Sequence, residues 1–251
     1  MQKPDQRHLL GKHDHSPDAE LEKPRAKDVR PELTALPLLT WGRRLVRCFL
    51  PAVARFLALA LTRCKVTGLQ NFPRQGPALV VVNHLGDADA LLGLAFFPTP
   101  VDALAKMELY DFPLLGGMMH AYGVIWVHRG HADRRAIRAA LHSLAEGRLV
   151  GIAPEGRESL TGGLEEGTEG AAYIALKANV PIVPVTFTGT MNNRIYPNLK
   201  RLRRTEVSLT VGPIFRLEKL PDRRASIRLG TQKIMERLAS QLPPEYRGIY
   251  R

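Results

Sequence analysis

Short apolar runs rich in β-branched residues alternate with longer helical stretches along most of this chain, and that alternation constrains the fold more than any other feature. Pro77-Ala78-Leu79-Val80-Val81-Val82 is continuously apolar with turn signals before it, as a strand buried on both faces should be. Residues 124–127, 149–153 and 182–187 are further candidate strands, and helices are expected at 88–96, 132–146, 169–178 and 222–240. The order strand–helix–strand predicts an α/β fold, with a largely parallel central sheet flanked by helices. At 251 residues the chain suits one sizeable domain with a short appendage. No internal repeat is evident, and no linker after residue 41 is long enough to divide it.

Open sheets of this kind gather ligands at the carboxyl ends of their strands. The most polar short runs of the sequence fall at such ends: Asn83-His84, then His128-Arg129, then Glu155-Gly156-Arg157. One composite site built from three strand ends is therefore expected.

The amino-terminal part has a different character. Residues 1–35 mix Lys, Arg, Asp, Glu, Pro and His with few large apolar residues; they read as a mobile polar tail rather than a signal peptide. From Leu33 to Gly86 there is no Asp or Glu, while Arg43, Arg44, Arg47 and Arg55 fall in one helical stretch. At about 100° per residue these arginines share one face, opposite Leu45, Phe49, Val53, Phe56 and Leu57. Residues 36–65 thus read as a basic amphipathic segment lying in a membrane interface, with Pro51 kinking or dividing it. Four arginines argue against a membrane span. The formal charge of +12 predicts an anionic partner. A membrane surface fits better than nucleic acid, because aromatics make up only 6% and the arginines lie opposite a large apolar face. The expected location is the cytoplasmic face of a membrane, peripheral or monotopic. Cys48 and Cys64 lack metal-ligand spacing, so reduced thiols and no metal site are expected.

Within the composite site, His84 and Asp89 stand out. An imidazole at a strand end and a carboxylate five residues on, one turn into the next helix, can meet. The carboxylate would then fix the tautomer while the second ring nitrogen takes a proton from a hydroxyl. Asp87 is a rival partner, two residues earlier on the same helix start.

The run Asn83-His84-Leu85-Gly86-Asp87-Ala88-Asp89 resembles the His-x-x-x-x-Asp motif of the glycerolipid acyltransferases, a family that includes 1-acylglycerol-3-phosphate acyltransferases. Further blocks are similar in the same order. Ala105-Lys106-Met107-Glu108-Leu109 resembles a Lys-x-Glu-Leu segment, and the run 123–129 a Gly-x-x-Phe-Ile-x-Arg block. Pro154-Glu155-Gly156-Arg157-Glu158-Ser159 resembles Pro-Glu-Gly-Thr-Arg-Ser, and the run 180–185 the last block.

The resemblance implies His84 as general base, oriented by Asp89, on an acceptor hydroxyl that attacks an acyl thioester. The donor would be acyl-CoA or acyl-carrier protein, as co-substrate, with no cofactor. Arg129 and Arg157 would bind phosphate, Glu155 with Gly156 the acceptor hydroxyls, and Lys106 the region of the thioester oxygen. The expected acceptor is a lysophospholipid, most simply lysophosphatidate. The alternatives are a lyso-lipid or glycolipid without that phosphate, and a non-catalytic membrane-surface module. Three departures bear on the acceptor: Gly86 replaces the usual Ser, Arg157-Glu158 replaces Thr-Arg, and Gly167-Thr168-Glu169-Gly170 replaces a basic Phe-Lys-x-Gly.

Overall fold

The computed structural model describes Arg30 and residues 33–128 and 133–251. Seven strands among them form one sheet: β1 (Thr62–Thr67), β2 (Ala78–Val82), β3 (Val101–Lys106), β4 (Ile125–Val127), β5 (Leu149–Ile152), β6 (Ile182–Thr188) and β7 (Thr205–Val211), in the order β1-β7-β6-β2-β5-β3-β4. Every adjacent pair is parallel except β6 and β7. The helices are α1 (Trp41–Leu61), α2 (Ala88–Phe96), α3 (Pro113–Tyr122), α4 (Arg134–Ala145), α5 (Gly170–Ala178), α6 (Asn192–Lys200) and α7 (Arg223–Ala239). The largely parallel α/β architecture expected from the alternation is the one observed.

The apolar continuity of β2 has a direct cause. Leu79 and Val81 pack with α4, α5 and α7 on one face, while Ala78 and Val80 pack with α1 and α2 on the other. Successive side chains of a strand point to opposite faces, so a sheet covered on both sides requires apolar residues at every position. Of the elements the sequence reading passed over, β3 is the most instructive. Its second residue is Asp102, an acid inside a strand. The carboxylate is fully buried and compensated by Arg47, Ser143 and Arg148, at 2.5, 2.7 and 3.1 Å.

The helix α1 runs unbroken through Pro51. Strand β1 begins at Thr62, inside the stretch 36–65 read as helical, and pairs along its length with β7. One arginine is also placed differently. Arg47 does not sit on an outward cationic face; it is buried, ion-paired to Asp102, and donates to the carbonyls of Tyr122 and Gly123. The inner face of α1 consists of Arg47, Ala54 and Ala58, the small and cationic side of the helical wheel. Small residues let α1 approach the sheet closely, and a buried guanidinium needs buried partners, which Asp102 and two carbonyls supply. The large apolar side is left outward, with Trp41 at 76%, Phe49 at 65%, Val53 at 53% and Phe56 at 71% exposure. No helix among the described residues is long and apolar enough to cross a membrane.

The reversed pair β1 and β7 matters for function. Thr188 at the end of β6 faces Ser208 in the middle of the antiparallel β7, so Thr205 lies beyond the end of β6, and Thr62 at the start of β1 faces Thr205. The first residues of β1 and β7 therefore lie at the end of the sheet where β2, β5 and β6 finish.

Candidate active site

The site begins where β2 runs out. Asn83, the next residue, is buried, and its carboxamide stands in for backbone. Nδ2 donates to the Phe187 carbonyl at 3.0 Å, and Oδ1 accepts from the Phe187 amide at 2.7 Å. This side chain extends the β2–β6 pairing past the last strand residue and fixes the direction in which His84 leaves the sheet.

His84 then meets Asp89. Nδ1 of the imidazole lies 2.9 Å from Oδ2 of Asp89, and that oxygen also accepts the backbone amides of Leu85 at 2.7 Å and Gly86 at 3.0 Å. A carboxylate held by two amide donors is oriented before the imidazole reaches it, which favours the tautomer with the Nδ1 proton toward Asp89 and leaves the Nε2 lone pair free. Asp89 is 4% exposed and the His84 side chain 20%, so the pair is shielded on one side and open on the other. Asp87 is not the partner; it is exposed, and its carboxylate accepts from the Tyr196 hydroxyl at 2.6 Å.

The absence of a side chain at Gly86 has a steric reason. A Cβ there would come within 2.6 Å of Asn192 Oδ1 and 2.7 Å of the Thr190 carbonyl. Asn192, from α6, uses that Oδ1 to accept the amide of Asp87 at 3.0 Å and its Nδ2 to donate to Glu158 at 3.2 Å. It occupies the space a Ser would claim.

The third strand end supplies Glu155, Gly156, Arg157 and Glu158. Glu155 is 7% exposed, and each oxygen accepts a backbone amide, from His84 at 3.3 Å and Glu165 at 2.9 Å. Burial pushes its carboxyl up to about 7. It braces the His84 backbone against the loop after β5, and the bond from the Ser159 amide to the His84 carbonyl, 2.7 Å, does the same from the other side. Gly156 takes a left-handed conformation, φ +73°, that lets the chain turn sharply after Glu155. Arg157 is half exposed and paired with Glu165 at 2.7 Å. Glu158, one residue on, is the side chain that faces the imidazole: its Oε1 lies 3.8 Å from Nε2 of His84.

Lys106 ends β3 next to Val127 of β4, two strands across from β2. Its side chain forms no hydrogen bond or ion pair among the described residues, and nothing brings it to the His84–Asp89 pair. Arg129 lies outside the described residues. A second pair with the same spacing, His128 and Asp133, shows how little spacing alone means. There Asp133 caps α4 by accepting the amides of Arg135 and Ala136, and His128 Nδ1 is 3.4 Å away.

The chain is similar to known proteins. A family model described as Acyltransferase matches residues 63–188, half of the chain. A 1-acyl-sn-glycerol-3-phosphate acyltransferase of Borreliella burgdorferi is 31% identical over 173 residues, 66% of this chain and 67% of that protein. One from Chlamydomonas reinhardtii is 29% identical over 188 residues, 73% of this chain and 54% of that protein. The chain spans between about half and two thirds of the length of such relatives. The crystal structure of the 1-acyl-sn-glycerophosphate acyltransferase PlsC from Thermotoga maritima shares the fold, with a TM-score of 0.59 at 21% identity, over 82% of this chain and 85% of that one.

Proposed function

Because this chain belongs to the acyltransferase family, we propose that it transfers a fatty acyl group from an acyl thioester to the hydroxyl of a lysophospholipid, with His84 and Asp89 as its catalytic pair. The observation that carries this reading is the 2.9 Å contact between Nδ1 of His84 and Asp89, with Nε2 on the open side of the ring. Nε2 takes the proton of the acceptor hydroxyl as its oxygen attacks the thioester carbonyl. The tetrahedral intermediate collapses, the carbon–sulfur bond breaks, and the imidazolium returns its proton to the departing thiolate. An ester and a free thiol result, and the proton inventory closes without a cofactor. Acyl-CoA or acyl-carrier protein serves as donor.

Action at a membrane surface, on its cytoplasmic face, is part of the proposal. Its support is the outward apolar stripe of Trp41, Phe49, Val53 and Phe56, with Arg43, Arg44 and Arg55 retained for lipid phosphates once Arg47 is withdrawn. The segment thus acts as a peripheral anchor rather than as a span.

Lysophosphatidate is the most direct acceptor, since relatives carry that activity in their names. Glu158 favours a second reading, an acceptor without a phosphomonoester, because it puts a carboxylate beside Nε2 where the resembled motif has arginine. The test is turnover of a lyso-lipid panel by the purified full chain, with radiolabelled acyl-CoA and acyl-carrier protein as donors. Transfer to at least one lyso-lipid, lost in His84→Ala, is expected. No transfer to any member of the panel with either donor would overturn the reading.

A further inference from the structure

We propose that the turn 200–203 between α6 and β7 is a second lipid contact, an exposed leucine ringed by cations that seats on an anionic bilayer at the active-site end of the sheet. The inference rests on the membrane-surface reading of α1 and extends it to a separate element.

The turn closes α6 in a particular way. The Leu202 amide bonds to the Leu199 carbonyl at 3.0 Å and the Arg203 amide to the Asn198 carbonyl at 2.8 Å, the paired bonds of a Schellman ending. That ending puts its penultimate residue in the left-handed region, where glycine is usual and a leucine is disfavoured. Leu202 holds it, at φ +52° and 92% exposure. A lone exposed leucine means little. Here the chain keeps a large apolar group at a position where backbone preference and exposure both argue against it.

Charge identifies what covers it. Lys200, Arg201 and Arg203 are exposed, and no carboxylate among the described residues lies within ion-pair distance of them. An apolar tip inside a ring of unpaired cations matches an anionic lipid surface, with the tip among acyl chains and the cations on phosphates.

Position supports the same partner. The guanidinium of Arg204 donates to the carbonyls of Leu59 at 2.6 Å and Thr62 at 3.0 Å, tying the turn to the carboxyl end of α1. The outward Leu59 of α1 is therefore beside the turn. The register of β7 with β6 and β1 places the start of β7 at the sheet end where β2 presents His84. At the other end of α6, Asn192 touches Glu158 beside His84. A bilayer seated on α1 and this turn would face the open side of the catalytic pair, so that a lyso-lipid reaches Nε2 without leaving the interface.

The test uses the full chain and vesicles of phosphatidylcholine with and without phosphatidylglycerol. Leu202→Gly should melt at or above the wild-type temperature, since glycine relieves the left-handed residue. Its partitioning to anionic vesicles should fall by about tenfold, the effect of removing one inserted leucine. Arg201→Gln and Arg203→Gln should each weaken binding about fivefold and flatten its salt dependence. In Leu202→Trp, the added emission should shift to the blue and be quenched by brominated acyl chains. If these variants bind as wild type does while Phe49→Ser, Val53→Ser and Phe56→Ser together release the protein, the turn is no lipid contact and the reading of α1 stands. If the wild type itself ignores anionic vesicles, the membrane reading falls and takes this inference with it.

Discussion

The side chain of Asn83 and the backbone of Phe187 are joined by two hydrogen bonds, 3.0 and 2.7 Å long, that continue the β2–β6 pairing into the active-site loop. Both groups are buried. Removing the carboxamide leaves an amide and a carbonyl without partners, at about 1–3 kcal/mol each. Asn83→Ala is expected to lose about 2–6 kcal/mol in denaturant unfolding. It should also lose activity out of proportion to the folded fraction, because His84 leaves the sheet from that residue. Unchanged stability would mean that the clamp is dispensable.

The proposed catalytic pair, His84 and Asp89, gives two variants with distinct logic. His84→Ala removes the base and should lower kcat by ~10²–10⁴-fold with the fold intact. Asp89→Asn keeps an acceptor for the Leu85 and Gly86 amides only if its oxygen faces them. That same oxygen then still accepts from Nδ1, so the variant keeps the imidazole oriented and removes only the negative charge that would stabilise the imidazolium. A comparable loss of kcat with little change in acceptor KM is expected from steady-state kinetics. An Asp89→Asn enzyme within a few-fold of wild type would remove Asp89 from the mechanism.

Much of this architecture is legible in the sequence. The strand expected at 182–187 and the helix expected at 88–96 match Ile182–Thr188 and Ala88–Phe96 because apolar continuity and helical spacing are local signals. Strand β3 was not legible, since Asp102 looks like a loop residue until Arg47, Ser143 and Arg148 surround it. The same compensation hid the placement of Arg47, which helical periodicity assigns to the polar face with its neighbours. Asn192 left no trace in the sequence. It reaches Gly86 and Glu158 from a helix containing Pro197 that local rules do not favour. Spacing located His84 and Asp89 but could not separate them from His128 and Asp133; backbone amides hold both carboxylates, and what differs is the shorter imidazole contact, 2.9 against 3.4 Å, and the capping of α4 by Asp133.

Glu155 sets a signature in the pH dependence of stability. Its folded carboxyl titrates at about 7, against an ordinary value of 4.5, because burial disfavours the charge. The folded state therefore holds the proton more tightly than the unfolded chain. This contribution to stability is complete below pH 4.5 and is lost as pH rises through 7, in total on the order of 3 kcal/mol. Glu155→Gln cannot titrate. The stability difference between wild type and variant should move in the variant's favour from pH 5 to pH 8, as measured by urea unfolding at each pH. A difference independent of pH would place the Glu155 carboxyl at its ordinary value.

The two faces of α1 should respond in opposite ways. Ser in place of exposed Phe49, Val53 and Phe56 should leave melting unchanged while releasing the protein from anionic vesicles. Arg47→Met should leave lipid binding in place but destabilise the fold by about 3 kcal/mol, as Asp102 loses one cation. The figure sits at the low end because Arg148 at 3.1 Å and Ser143 at 2.7 Å still serve that carboxylate. Were Arg47→Met to weaken vesicle binding without loss of stability, the inward placement of Arg47 would be wrong.

Glu158 bears on the acceptor. Its carboxylate lies 3.8 Å from Nε2 of His84, held there by Asn192 at 3.2 Å, while Arg157 is occupied by Glu165. A phosphomonoester brought up with its hydroxyl on Nε2 meets that charge at short range, where like charges repel by several kcal/mol at an effective dielectric of about 20. Glu158 is 29% exposed, so solvent reduces this, and roughly 1.4 kcal/mol is a reasonable residue. Glu158→Gln should thus lower the KM for lysophosphatidate by about tenfold, while an uncharged monoacyl acceptor changes little. Glu158→Arg, which restores the arginine of the resembled motif, should go further in the same direction. Arg157→Ala should matter less than either, because Arg157 faces Glu165. The discriminating measurement is acceptor KM, with donor saturating, for both lipids across wild type and the three variants. If Glu158→Gln instead raises KM for both lipids alike, the carboxylate binds the acceptor through a hydroxyl they share, and repulsion is not its role.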